Sequence, residues 1–182
     1  MSSSPADFNF IIRDATLADV AAIARVHVDA WRSTYAGIMP ADLLASLSYA
    51  ERESMWRNRL SRTDESGVVL VVEMSTGELV GFAGAGPERT QRPDYPGEVW
   101  AIYLLEDVQG RGVGKALFKE AARRLQQLGF DSMLVWVAAG NPACGFYGAQ
   151  GGVLIDEKQE DYGGKAIPLV AYGWQRLDDL VG

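Results

Sequence analysis

Three β-type runs, a glycine-rich stretch and an amphipathic helix follow one another within residues 67–129, and this succession restricts the fold more than any other feature. The runs are "GVVLVVEM", "LVGFAGAG" and "EVWAIYLL". The first two flank "STGE", whose residues favour a tight turn, so they read as a hairpin with a third strand beside it. Then comes "EDVQGRGVGKAL", with glycine at 110, 112 and 114. From Val113 the apolar period changes from two to about 3.6, which places Val113, Leu117, Ala121, Leu125 and Leu128 on one helix face. Gly129 suits the left-handed cap that ends such a helix. A sheet face and a helix stripe that are both apolar have to cover each other, which predicts a layered chain of mixed class.

The flanking sequence extends the pattern. "FNFIIR" is β-rich, and "TLADVAAIARVHVDAWRSTY" carries Thr16 and Asp19 in capping-box spacing, with Leu17, Val20, Ile23, Ala24 and Val28 as its apolar face. Pro40 opens a short helix in "PADLLASL", and Ser48 with Glu51 caps "YAERESMWRNRL". After Gly129, "DSMLVWVAA" is a strand and "NPACGFYGAQGG" a short helix; "VLIDEKQ" and "KAIPLVAYGWQRL" form a closing pair joined by "EDYGG". The expected fold is α/β (α+β), with a mixed, largely antiparallel sheet. Residues 1–7 read as a flexible tail and 8–182 as one domain.

Composition removes several classes of function. Cys144 and His27 are the only residues of their types, so an internal disulfide is impossible and a Cys/His zinc site is disfavoured, leaving a carboxylate-only magnesium site open. No metal is expected. A net charge of -7 opposes a general nucleic-acid or anionic-membrane surface. "MSSSPADFNF" lacks the pattern of a secretory signal, and no segment approaches the roughly 18 apolar residues of a membrane span, so a cytoplasmic location is expected. Against that acidic background, residues 109–129 hold Arg111, Lys115, Lys119, Arg123 and Arg124 but only Glu120 of opposite sign. An anion is therefore to be bound locally, unless these bases merely solvate a helix face.

The glycine stretch fits neither common nucleotide loop. A Walker loop needs glycine and Ser/Thr where Gln109 and Ala116 stand, and a dinucleotide fingerprint begun at Gly110 meets Lys115 in place of its last glycine. What remains is Gln109-Gly110-Arg111-Gly112-Val113-Gly114 between a strand and a helix, where several main-chain N–H groups and the positive helix end converge. A pyrophosphate suits such a place, with Arg111 and Lys115 at its rim.

The Gln-x-x-Gly-x-Gly pattern after "VWAIYLLEDV", with "NPACGFYGAQGG" some thirty residues on, resembles the GNAT superfamily of acetyl-CoA-dependent N-acetyltransferases over nearly the whole chain. The resemblance implies a seven-stranded sheet flanked by helices, with a splayed central parallel strand pair. It implies coenzyme A pyrophosphate on the main chain of Gln109 to Gly114, and pantetheine added along Ile102, Tyr103 and Leu104 like an extra strand. Asn141 is then expected at the pantetheine amides and Phe146 at the channel wall, although Asn141 is equally a helix cap. The thioester oxygen is expected to meet a main-chain N–H near Leu104, at a bulge.

An alkyl amine titrates near 10.4, so a base helps its acetylation at neutral pH. Glu98 is the candidate, sharing a face by alternation with Trp100 and Ile102; the competing reading is a cap on an exposed strand end. Tyr147 in "GFYGAQ" matches the tyrosine that the family aims at the departing sulfur. Cys144 as an acylated nucleophile is the weaker alternative, and His27 reads as a partly buried histidine. Trp31 and Tyr35, with Trp56 and the proline-rich loop, offer an aromatic acceptor pocket, and Asp29, Glu53, Asp94 and Glu98 favour a cationic amine. The expected activity is acetyl transfer from acetyl-CoA to a primary amine of a small molecule or peptide, directly in a ternary complex. A longer acyl group, a CoA-binding sensor without turnover, and a homodimer remain open.

Overall fold

The protein is described as a computed structural model covering residues 9–62 and 66–182. The tail expected over residues 1–7 lies outside the described residues. In chain order the strands are β1 (Phe10–Asp14), β2 (Val68–Met74), β3 (Leu79–Pro87), β4 (Gly97–Leu104), β5 (Met133–Ala138), β6 (Val153–Tyr162) and β7 (Lys165–Trp174). The helices are α1 (Val20–Thr34), α2 (Ala41–Ser46), α3 (Tyr49–Leu60), α4 (Val113–Gln127), α5 (Ala143–Ala149) and α6 (Asp178–Val181).

The seven strands form one sheet in the order β1-β2-β3-β4-β5-β7-β6. All neighbouring pairs are antiparallel except β4 with β5, which is parallel and has only two registered partners, Gly97 with Met133 and Glu98 with Leu134. Beyond Glu98 the two strands part, so the β4 edge from Val99 to Leu104 has no strand partner on that side. β5 stays paired to β7 along its whole length, and β4 to β3, so the gap opens between two firm halves.

Each sheet face has its own core. On one side Leu117, Phe118, Ala121 and Leu125 of α4 pack with Val72, Ala83, Val99, Met133 and Val135. On the other, Ile23 of α1 and Trp56 of α3 pack with Val71 and Phe82. The helix termini follow the sequence signals. Ser48 Oγ accepts from the Glu51 main chain at 3.3 Å, and Gly129, at φ 92°, ends α4 while Phe130 N donates to Leu125 O at 3.0 Å. Asp19 accepts from Thr16 N at 2.7 Å and also holds Arg13, but it closes a short 3-10 turn ahead of α1, and Leu17 in that turn is exposed rather than part of the buried face.

Three details differ from expectation. β6 runs on through Glu160–Asp161–Tyr162, and the hairpin turns only at Gly163 and Gly164, both at positive φ, because a two-residue turn of this hand matches the strand twist. A short α6 follows β7. The bulge in β4 lies at Trp100, not near Leu104: Ala101 pairs with Gly84 and Val99 with Ala85, leaving Trp100 as the extra residue. Its indole occupies the space over Gly84, where an added Cβ would come within 2.1 Å of the ring. The bulge breaks alternation, so Glu98 shares a face with Trp100 and Tyr103, while Ile102 turns to the α4 side.

Candidate active site

The gap between β4 and β5 continues into a cavity of about 660 Å³. One end is the glycine stretch. Gly110 and Gly112 have φ of 71° and 82°, a region that side chains disfavour, and a Cβ at either would meet nothing within 4 Å. Gly112 is the N-cap of the 15-residue α4, so the first main-chain N–H groups of that helix have no partner within it. Gln109 ties the turn to the strand by donating from Nε2 to Leu104 O at 3.1 Å. Gly110, Gly112, Gly114, Gln109 and Lys115 all line the cavity. Val113 does not: its side chain is buried in the α4 core, leaving only its main chain to serve a ligand. Arg111 is exposed outside the lining.

Ile102, Tyr103 and Leu104 form the β4 wall of the cavity, and Asn141, Phe146 and Tyr147 the opposite wall. Asn141 is buried and its Oδ1 accepts from Ala143 N at 2.9 Å, so it does cap α5. Tyr147 packs among Phe118, Phe146, Tyr172 and Trp174. Burial first, then the neighbouring Tyr35 and Cys144, hold its phenol well above the ordinary range, so it keeps its proton. The Cys144 thiol lies outside the lining, near the main-chain oxygens of Ala138 and Ala139, and burial raises its pKa, which removes the thiolate that a nucleophile needs.

At the far end the cavity meets α1. Tyr35 lines it and its hydroxyl lies 3.2 Å from that of Tyr103. Burial raises the pKa of both phenols, so the pair is two neutral hydroxyls. Trp31 stands behind, 4.7 Å from the Tyr35 ring and outside the lining, and Trp56 is core between α3 and the sheet. Sequence reading missed Trp136, which lines the cavity; its indole nitrogen is buried without a hydrogen-bond partner among the described residues. A strand tryptophan in an apolar run carries no local sign of facing a gap. It missed also the Tyr35–Tyr103 pair, which joins residues 68 positions apart.

Glu98 is brought near this site but not into it. The residue is 0% exposed, sits where β4 and β5 are still paired, and does not line the cavity, so the reading as a cap on an exposed strand end is wrong. Its carboxylate is held by Arg89, from Nη2 at 2.7 Å and Nε at 3.0 Å. Asp29, Glu53 and Asp94 are dispersed on other elements and none lines the cavity, so the expected acidic group does not assemble; Asp29 instead accepts from the Tyr49 hydroxyl at 2.6 Å. Among the described residues no group of three His, Cys, Asp or Glu side chains is placed to hold a metal, and no helix is long and apolar enough to cross a membrane.

Comparison with known proteins decides the family: the model for the Acetyltransferase (GNAT) family matches residues 23–151. The chain belongs to the GNAT acetyltransferases. Among its relatives in this family is YuaI, an uncharacterised N-acetyltransferase of Bacillus subtilis (strain 168), 41% identical over 169 residues that cover 93% of this chain and 95% of the relative. The L-methionine sulfoximine/L-methionine sulfone acetyltransferase of Pseudomonas aeruginosa is 30% identical over 72% of this chain and 73% of its own length. A GNAT superfamily phosphinothricin acetyltransferase from Sinorhizobium meliloti, solved with acetyl-CoA, superposes with a TM-score of 0.69 at 23% identity, covering 91% of this chain and 87% of the other. The sheet with one splayed parallel pair is thus the GNAT fold, and the chain is an acetyl-CoA-dependent acyltransferase by family.

Proposed function

We propose that this GNAT enzyme moves the acetyl group of acetyl-CoA directly to a primary amine of a small molecule or peptide in a ternary complex. The observation that carries the proposal is the continuity of one cavity from the glycine turn, past the unpartnered β4 edge, to Tyr147 and Tyr35. The donor fits the residues present. Main-chain N–H groups at Gly110 to Gly114 suit the pyrophosphate, the free edge of Ile102 to Leu104 suits the pantetheine amides, and Asn141 and Phe146 border the same channel. A main-chain N–H near Leu104 would stabilise the thioester oxygen, a contribution of about 3 kcal/mol per donor.

In the transfer a C–N bond forms as the C–S bond breaks; the ammonium acceptor loses two protons, one to the base before attack and on to solvent, and one from the attached nitrogen, which makes good the proton given to the departing sulfur. Tyr147, neutral and on the cavity wall, is the proposed proton donor to sulfur. Glu98, which lies just behind the lining, is the proposed proton acceptor, acting directly or through a water. Trp31 and Tyr35, with Trp136, form the proposed acceptor wall, and the related methionine sulfone enzyme supports a small amine-bearing acceptor. Tyr147→Phe and Glu98→Gln are each expected to lower kcat by about a hundredfold, with acetyl-CoA affinity unchanged by calorimetry. An unchanged kcat in either variant contradicts that assignment.

The competing reading is an acyl-CoA sensor without turnover. The Arg89 ion pair, which occupies the candidate base, is the observation in its favour.

A further inference from the structure

The carboxylate of Glu98 is wholly buried and both its oxygens are taken by one residue. Arg89 donates from Nη2 to Oε1 at 2.7 Å, and to Oε2 from Nε at 3.0 Å and from its main-chain nitrogen at 3.1 Å. Forked, charge-assisted contacts of this kind are among the strongest a side chain makes. The Arg89 side chain is nonetheless 62% exposed, so it lies on Glu98 like a cover with solvent at its back.

The surroundings give that cover somewhere to go. Arg89 lines a second cavity, of about 360 Å³, with Arg59, Glu88 and Trp100. Trp100 also lines the large cavity, so one residue borders both. Arg59 is already placed over that indole, 5.1 Å from a ring centroid. After the Glu98 hydrogen bonds, the charges of Glu160 on β6 and Glu88 in the loop before β4 add to the field that keeps Arg89 protonated. Glu160 pairs with Lys158 at 3.3 Å on the surface, and Glu88 accepts from the Arg92 main chain at 2.7 Å. One guanidinium thus stands among three carboxylates, and the buried one is the one it covers.

We propose that Arg89 is a positioning residue that latches Glu98 until an acceptor bearing an ammonium group takes its place, and that this exchange selects cationic alkyl amines over neutral arylamines. The inference rests on Glu98 as the base of the proposed transfer. Passing Trp100, an ammonium replaces the guanidinium on Glu98 while Arg89 turns toward Glu160 and Glu88. Cation replaces cation, so the buried carboxylate is never left unpaired, the state that makes removal of one partner so unfavourable. The exchange itself breaks and forms hydrogen bonds only; the proton moves afterwards, from ammonium to Glu98. An arylamine, uncharged at neutral pH, has nothing to offer in return for the guanidinium.

A latch closed most of the time lowers apparent acceptor affinity by the open fraction. Arg89→Gln is therefore expected to lower the KM for an alkyl amine by about tenfold or more, with the KM for acetyl-CoA unchanged. Arg89→Lys, which lacks the fork, moves the amine KM the same way by less, and it decides the matter if the glutamine variant does not fold. In a Glu98→Gln background the Arg89→Gln change shifts the amine KM by less than about twofold, because the two residues act as one unit. Wild-type turnover of alkyl amines is measured first in the same assay. Its absence overturns the acetyl-transfer reading; turnover with an unchanged or raised amine KM in the folded Arg89 variants overturns the latch alone.

Discussion

Trp56 donates its indole N–H to His27 Nδ1 at 3.1 Å, which leaves the imidazole neutral with its proton on Nε2, stacked 5.6 Å from the Tyr103 ring. Burial first, and the Arg52 charge second, push this histidine down from 6.5 to about 3. The unfolded chain takes up the proton before the native one. Stability is therefore whole above pH 6.5 and falls as pH drops from there toward about 3, by up to about 1.4 kcal/mol per pH unit. Asp19, lowered from 3.8 to about 2 chiefly by its hydrogen bonds to Arg13, acts in a lower, partly overlapping window, its contribution being lost between those two values. His27→Gln should flatten the pH slope of the denaturant unfolding free energy between pH 6.5 and about 4; an unaltered slope contradicts the buried neutral histidine. Lone occurrence made His27 easy to single out in the sequence, but its role as a support for Tyr103 depends on α3 and β4 arriving from 29 and 76 positions away. Arg89 was illegible for the same reason: a loop arginine has no period, and its partner is fixed only once the strand after the loop is buried.

The element that positions the proposed donor end is α4, and its signals were all local. A strand, three alternate glycines, a 3.6 period and a closing Gly129 need no tertiary information, and α4 runs from Val113 to Gln127 as that pattern predicts, except that Leu128, expected on the buried face, follows the helix and is exposed. What local pattern could not reveal is the Trp100 bulge, since an extra strand residue leaves no mark on composition, and it reversed the face assigned to Ile102. The extension of β6 through "EDY" was likewise hidden, because polar residues on an edge strand look like a turn. Gly114 gives the sharpest test at this scale. It is the second residue of α4, its φ is ordinary, and an added Cβ would make only a 3.4 Å contact with Leu104. Glutamate there improves helix propensity and suits the helix dipole, so Gly114→Glu should keep or raise the melting temperature of the free protein. It also sets a carboxylate at the proposed pyrophosphate site, so acetyl-CoA affinity by calorimetry should fall about tenfold or more, as expected for a lost charge-assisted hydrogen bond. Undiminished affinity in a stable variant contradicts the glycine turn as the phosphate site.

At the scale of the molecule, one interrupted ladder organises everything. Two registered pairs hold β4 to β5, and past Glu98 their separation makes a cavity with a phosphate-suited turn at one end and paired tyrosine hydroxyls at the other. The net charge of -7 opposes anion binding by the surface at large, which is consistent with the turn as the proposed phosphate site. The family assigns acetyl-CoA chemistry to the chain, and the proposed acceptor side joins an aromatic wall to Glu98, the proposed base, held under Arg89. The most direct measurement is release of free coenzyme A thiol from acetyl-CoA across a panel of alkyl amines, amino acids and arylamines, with acetyl-CoA binding followed on the same preparation. The account predicts thiol release when acetyl-CoA and an alkyl amine are present together, and none with either alone. Tight acetyl-CoA binding with no thiol released for any amine would contradict it and make the chain a sensor.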